Sequence, residues 1–359
     1  MSPMHKALVL HSKDAGKFVI EDRPTPTPGP GQLLIKIYAT ALNPVDLYVQ
    51  SSGYIVDAYG FPAVPGCDGA GVVEALGEGV KGWAQGDRVL MQGHWVADRG
   101  TLQQYAISDA VRTTKIPDDM SFEEASTIPL ALATSAVGLY HTISESGLDG
   151  PMGGIELTPP WEGGTGKYAG QPILILGGSS SVGQLAIQLA KLSGFSPIIT
   201  TASKHNEAYC KAAGATHVID YKDVPYADLP AAVTKITTEP FKVVYDAVTV
   251  DDSQTAGWTI LAPGGDMVVT LPPKVGQRER SEANDGKRVA FTYGSIHLPM
   301  NAEFGARMHK ALPGLLKDGA IKPNRVEVCG SDLSGAFAGL ERLAGGVSGV
   351  KLVVRPHGI

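Results

Sequence analysis

The chain has 359 residues, 43% of them hydrophobic, with 30 Lys and Arg against 36 Asp and Glu, for a formal net charge of −6. That length suffices for two domains, and an acidic balance without any basic block argues against nucleic acid or an anionic membrane as partner. The three cysteines, Cys67, Cys210 and Cys329, are scattered, no apolar run approaches the length of a membrane span, and the start lacks the layout of a secretory leader. The expected setting is the reducing cytoplasm.

In chain order, residues 6–10 and 32–38 read as strands, separated by a segment (24–30) whose four prolines cannot form a central strand. Residues 69–76 and 88–91 read as further short strands between glycine turns, the spacing of a small antiparallel barrel. The rhythm changes near Pro129, with a helical pattern over 130–143 and a Gly/Pro-rich loop over 147–170. Strands predicted at 173–176, 198–201, 217–220, 242–246, 266–270 and 289–295 then alternate with helices, which implies a doubly wound parallel sheet. A helix over 304–317 and strands at 325–328 and 351–355 are too few for a domain, and are expected to rejoin the barrel or cap the sheet.

The most informative stretch follows the 173–176 strand: Gly177-Gly178-Ser179-Ser180-Ser181-Val182-Gly183. Val182, Leu185, Ala186 and Leu189 then fall at i, i+3, i+4 and i+7, and Gly194 follows, so strand, turn and helix are expected in that order. Such a turn presents backbone amides and a helix N-terminus to the pyrophosphate of a dinucleotide, which makes Gly178, Ser179, Ser180, Ser181, Val182 and Gly183 candidate cofactor contacts. Gly178 is expected to allow the tight turn and Gly183 the close approach of helix and strand. Ser180 and Ser181 make the match to the glycine fingerprint partial, and a purely structural turn is the competing reading. An NAD site usually carries an acid about 20 residues further on. Here no acid occurs between Gly183 and Glu207, and Ser203 then Lys204 offer a hydroxyl followed by a cation suited to a 2′-phosphate, with His205 beside them as a further candidate contact. NADPH is therefore expected over NADH, against the alternative that Ser203 is a helix cap and Lys204 a solvated charge.

Gly77-Glu78-Gly79-Val80 with Gly86-Asp87-Arg88-Val89 resembles the signature of the medium-chain dehydrogenase/reductase superfamily. So do Pro65-Gly66-Cys67-Asp68-Gly69-Ala70-Gly71, Leu42-Asn43-Pro44-Val45-Asp46, Leu316-Lys317-Asp318-Gly319 and Gly349-Val350-Lys351, and together they cover essentially the whole chain. The resemblance implies an α/β architecture, with a GroES-like β-barrel catalytic domain (1–128 and 301–359) around a doubly wound, parallel-sheet Rossmann domain (129–300). The departures concern zinc. A Cys of the zinc-dependent relatives is replaced in the Asn43 segment, their Gly-His-Glu reads Gly66-Cys67-Asp68, and the segment near Thr134 and Ser135 offers no thiolate, too few donors for a catalytic metal. His94 joining Cys67 is the remaining metal option, and no metal is expected.

Within the zinc-free branch the chain is similar to quinone oxidoreductases and, more closely, to fungal trans-acting enoyl reductases, in the 177–183 turn and the 163–171 loop. The resemblance implies hydride transfer from NADPH to a conjugated carbonyl or acyl thioester, a polyketide synthase as possible partner, and a monomer or homodimer. It also implies Tyr54, then Tyr48, as proton donor or enolate partner, since an un-ionised phenol can hydrogen-bond an enolate at neutral pH. Packing of either ring against the barrel is the alternative. Asn43 is expected to orient substrate or nicotinamide, Thr134 to contact the carboxamide, Tyr221 to lie by the adenosine phosphate, and Val248 and Leu271 to line the cofactor. Lys351 is expected to reach a cofactor phosphate or to be solvated. Three functions stay open: an NADPH-dependent enoyl or enone reductase, an NADPH:quinone oxidoreductase, and a non-catalytic NADPH-binding protein.

Overall fold

The computed structural model describes residues 3–54, 56–148 and 150–358. They divide into one unit formed by Met1–Leu130, Gly305–Gly319 and Pro323–Ile359, and a second formed by Ala131–Phe304 with Ala320–Lys322.

In the second unit, short runs of Ile, Leu and Val form a sheet that, among the described residues, has six strands, all parallel. Their spatial order is His217–Ile219, Ile198–Thr201, Ile173–Leu176, Phe241–Asp246, Leu261–Val269, Arg288–Phe291. The first strand in sequence, Ile173–Leu176, therefore lies between the second and the fourth. This reversal of winding is where open parallel sheets bind dinucleotides. All four residues of that strand are buried, as expected of a strand covered on both faces. The helix Ser181–Leu192 covers it with Leu185, Ala186, Ile187, Leu189 and Ala190, all fully buried.

In the first unit the sheet is antiparallel except for one pair. Its hub is Gln32–Ala41, which pairs with Asp68–Leu76, with Tyr105–Asp109 and, through Thr40 and Ala41, with Lys351–Val354. Leu33, Ile35 and Ile37 alternate into a core shared with Val73, Val89, Met91 and Ala106. The late strands Val326–Val328 and Lys351–Val354 pair with each other and so rejoin this sheet.

Several elements differ from the sequence expectation. Val19–Pro24, Tyr105–Asp109 and Thr113–Lys115 are strands, and Pro44–Ser52 and Gly335–Ala344 are helices. The 289–295 segment leaves the sheet after Phe291. No helix among the described residues is long and apolar enough to cross a membrane.

Candidate active site

The glycine turn of the second unit is built differently from the expectation in one respect. Gly177, with φ of 78°, takes the left-handed conformation, whereas Gly178 does not. Gly178 is required for closeness instead: a Cβ there would run into Thr200 Oγ1, and its N–H donates to the Thr201 carbonyl at 2.9 Å. A Cβ at Gly183 would likewise meet the Gly177 carbonyl, so helix and strand approach as closely as backbone allows. Ser180 caps the helix, its Oγ accepting the Gly183 N–H at 3.0 Å. With the Gly178 and Gly183 amides committed, Ser179, Ser181 and Val182 supply the amides at the helix N-terminus, where the macrodipole favours an anion.

The wall beside this turn comes from the loop after Phe241–Asp246. Asp246 is fully buried; Oδ1 accepts the N–H groups of Val248 at 2.9 Å and Thr249 at 2.8 Å, and Oδ2 accepts the Ser253 hydroxyl at 2.7 Å. The carboxylate bends the loop tightly enough to force Thr249, a β-branched residue, to a φ of 58°. The Thr249 hydroxyl donates to the Asp246 carbonyl at 2.9 Å. Val248 is thereby set against Gly177, 2.5 Å from where a Cβ would stand. Leu271, beyond the neighbouring strand, is exposed.

At the crevice end of the second strand, Ser203 is buried and its Oγ accepts the Asn206 amide at 3.4 Å, so its hydroxyl faces the protein. Tyr221 is exposed. No acid occurs between Gly183 and Glu207, but one reaches this place from the neighbouring segment: Asp220, just after the adjacent strand, accepts the Lys204 backbone N–H at 2.8 Å. The acid is 16 residues beyond Lys204 in sequence but adjacent in the sheet. Thr134 is buried, and its carbonyl accepts the Tyr245 hydroxyl at 3.0 Å.

In the first unit, Asn43 stands at the start of the helix Pro44–Ser52; Asp46 Oδ2 accepts its N–H at 2.8 Å, and the Asp46 N–H donates to the Asn43 backbone carbonyl at 2.9 Å. Gly53 ends the helix with φ of 64°, where a Cβ would come within 2.7 Å of Lys13 Cβ. The chain turns back there, and Tyr54 meets Tyr48 edge to face at 6.2 Å. Both residues are partly exposed, 38% and 46% respectively.

Behind this helix lies a buried polar cluster. Asp68, wholly inaccessible, accepts Asn43 Nδ2 at 2.8 Å and the Leu130 N–H at 2.6 Å, and lies 3.1 Å from the Lys351 ammonium. Lys351 also donates to Asn43 Oδ1. Two expectations are thereby corrected. Lys351 is neither solvated nor directed at a phosphate; its ammonium is the counter-ion of Asp68. Asn43 spends its amide on Asp68, Ala41 and Lys351 and positions the helix rather than a ligand. Asp46 holds the cluster's other carboxyl, its Oδ1 accepting the Gly66 N–H at 3.1 Å. Burial pushes this carboxyl up to about 7, against the pull of those two amides. Its part was missed, although Asn-Pro-x-Asp is a legible helix start.

The donors decide whether a metal suits this place. Burial, then Asp46 and Asp68, push the Cys67 thiol well up, away from the thiolate a metal needs. Asp68 is already neutralised by an ammonium. His94 stacks edge-on with Tyr59 at 4.5 Å, and burial lowers its imidazole to about 4. Among the described residues no three His, Cys, Asp or Glu side chains are grouped to hold a metal ion. A metal does not fit these donors.

The chain matches the model of the alcohol dehydrogenase GroES-like domain over residues 29–118 and that of the zinc-binding dehydrogenase over residues 181–276. Dehydrogenase orsE of Emericella nidulans is 30% identical, over 96% of this chain and 97% of its own length. Trans-enoyl reductase resD of Aspergillus sclerotiorum is 32% identical, over 94% of this chain and 96% of its own. A mycobacterial protein solved in complex with NADPH superposes with a TM-score of 0.71 at 24% identity, over 98% of this chain and 100% of that one.

Proposed function

Since the chain belongs to the medium-chain dehydrogenase/reductase family, beside fungal trans-enoyl reductases and related dehydrogenases, and is an oxidoreductase, we propose that it is an NADPH-dependent reductase of α,β-unsaturated carbonyls or enoyl thioesters that works without a metal. The observation that carries this reading is the capped glycine turn at the reversal of the parallel sheet. When bound, the reduced nicotinamide supplies a hydride to the β-carbon of the acceptor.

The chain's own residues do the rest. Ser179, Ser181 and Val182 hold the pyrophosphate by backbone amides, Lys204, His205 and Tyr221 meet the phosphorylated ribose, and Val248 and Leu271 flank the bases. Ser203 supports that loop from within, and Thr134 orients the carboxamide. Tyr54 donates a hydrogen bond to the carbonyl oxygen as it becomes an enolate, or a proton to the α-carbon, with Tyr48 beside it. Asn43, Asp68 and Lys351 act as positioning residues for the helix that precedes Tyr54. The metal-free part of the reading is supported by the cluster, where the positive charge is a lysine's own. The names of the trans-enoyl reductase relatives support an enoyl substrate, which in this reading is carried by a partner synthase in the cytoplasm.

The test is NADPH consumption by chelator-treated protein with an enoyl thioester, a small enone and a quinone. Turnover of the thioester or enone is expected, with Tyr54→Phe lowering kcat about 100-fold while the NADPH Kd stays within about twofold. Turnover of the quinone alone, activity that requires added zinc, or an unaltered Tyr54→Phe rate would each overturn the reading.

A further inference from the structure

The strands Ile198–Thr201 and His217–Ile219 run parallel at the edge of the second unit's sheet, with Thr201 opposite Ile219. The Ala202 N–H continues the ladder to the Ile219 carbonyl at 3.1 Å. The two segments that follow therefore leave the sheet side by side, one carrying Ser203 and Lys204, the other Asp220, Tyr221 and Lys222. Asp220 joins them as a fork: Oδ2 accepts the Lys204 N–H and Oδ1 the Lys222 N–H, each at 2.8 Å. The Asp220 carbonyl turns its own segment back, accepting the Val224 N–H at 2.9 Å. Two further acids stand nearby: Glu207, paired with Lys211 at 2.6 Å, and Asp223, whose N–H donates to the Asp220 carbonyl at 3.1 Å.

An acid in this place can act in two opposite ways on a nucleotide. A carboxylate open to the crevice accepts ribose hydroxyls and repels a 2′-phosphate, selecting NADH. A carboxylate with an amide on each oxygen instead fixes the two backbones that carry the lysines. The Lys222 amide first, then the Lys204 amide and the charges of both lysines, hold Asp220 below the usual carboxylate range, so it stays ionised as that fork requires.

We propose that Asp220 is the positioning residue of the 2′-phosphate site, holding the backbones that carry Lys204 and Lys222, and that Lys222 is a second cation for that phosphate. The proposal rests on the NADPH reading and adds to it the residue that creates the preference. The recognised group is a dianionic ribose 2′-phosphate, met by two point charges and an exposed phenol.

The experiment is titration calorimetry of the full chain with adenosine 2′,5′-bisphosphate and with 5′-AMP, which need no turnover. Asp220→Asn keeps the size but leaves one amide without an acceptor. It is expected to raise the bisphosphate Kd about tenfold while leaving 5′-AMP within about twofold. Lys222→Met leaves the clamp in place and is expected to raise the bisphosphate Kd about threefold to tenfold and to flatten its salt dependence. Bisphosphate binding by Asp220→Asn that is unchanged or tighter overturns the clamp, and so does an equal loss of both ligands. An unaffected Lys222→Met overturns the second cation. A wild-type protein that holds both ligands equally overturns the NADPH reading itself, an outcome distinct from the others.

Discussion

Replacing Lys351 by Met tests the buried cluster most directly. The Lys351 side chain is 5% exposed and Asp68 not at all, so water cannot substitute for the lost ammonium. Asp68 keeps two donors, Asn43 Nδ2 and the Leu130 amide, but loses its ionic partner, and Asn43 Oδ1 loses its donor. Removing one member of a buried ion pair costs about 3–5 kcal/mol. For a unit of this size, at about 2–4 °C per kcal/mol, this is a fall in Tm of about 6–20 °C. Adding Asp68→Asn removes the stranded charge, so the double variant should recover about 1–3 kcal/mol over Lys351→Met alone. Urea unfolding followed by the fluorescence of Trp83 and Trp95, both in the first unit, measures both. A loss below about 1 kcal/mol, or a double variant no better than the single one, would refute the reasoning.

Asp46 supplies a pH signature of its own. Because burial raises it to about 7, the native state keeps a proton that the unfolded chain releases above about 4. Stability from this group is therefore complete at low pH and falls as pH rises towards 7, by at most about 1.4 kcal/mol per unit. Asp46→Asn should remove that slope, and a wild-type-minus-variant difference that is flat between pH 5 and 7 would count against it. Gly183→Ala puts a Cβ against the Gly177 carbonyl; it should cost about 1–3 kcal/mol of stability and weaken nucleotide binding. Equal Tm and equal NADPH affinity in that variant would contradict the close approach of helix and strand.

The parts of this fold that were legible in the sequence are those written in neighbouring residues. Ile173 to Leu176 is an unbroken apolar run because both faces of the strand are buried, and the period of Val182, Leu185, Ala186 and Leu189 marks the helix face that covers it. The helix Pro44–Ser52 was equally local, with its cap, proline and Asp46, yet its low content of periodic apolar residues hid it. What the sequence could not display is contact across distance. Lys351 and Asn43 are 308 positions apart, and nothing around either residue names the other, so the lysine looked like a phosphate contact. Asp220 escaped for the same reason on a smaller scale, since it approaches Lys204 through the register of two strands rather than through the chain. Gly177 and Gly178 are adjacent and identical, and only the position of Thr200 decides which one turns and which makes room.

The pairing of Lys351–Val354 with Gln32–Ala41 has a consequence for how the chain is made. During synthesis the first 130 residues leave the ribosome long before their sheet can be finished, because the strand that carries the Asp68 counter-ion emerges only after the whole nucleotide unit. Until then the nascent chain holds an open sheet edge and a carboxylate without its cation, while Ala131–Phe304, nearly all of the second unit, is made in one stretch and is free to fold first. The order of assembly would thus invert the order of translation, and the early segment would be the one most in need of chaperone cover.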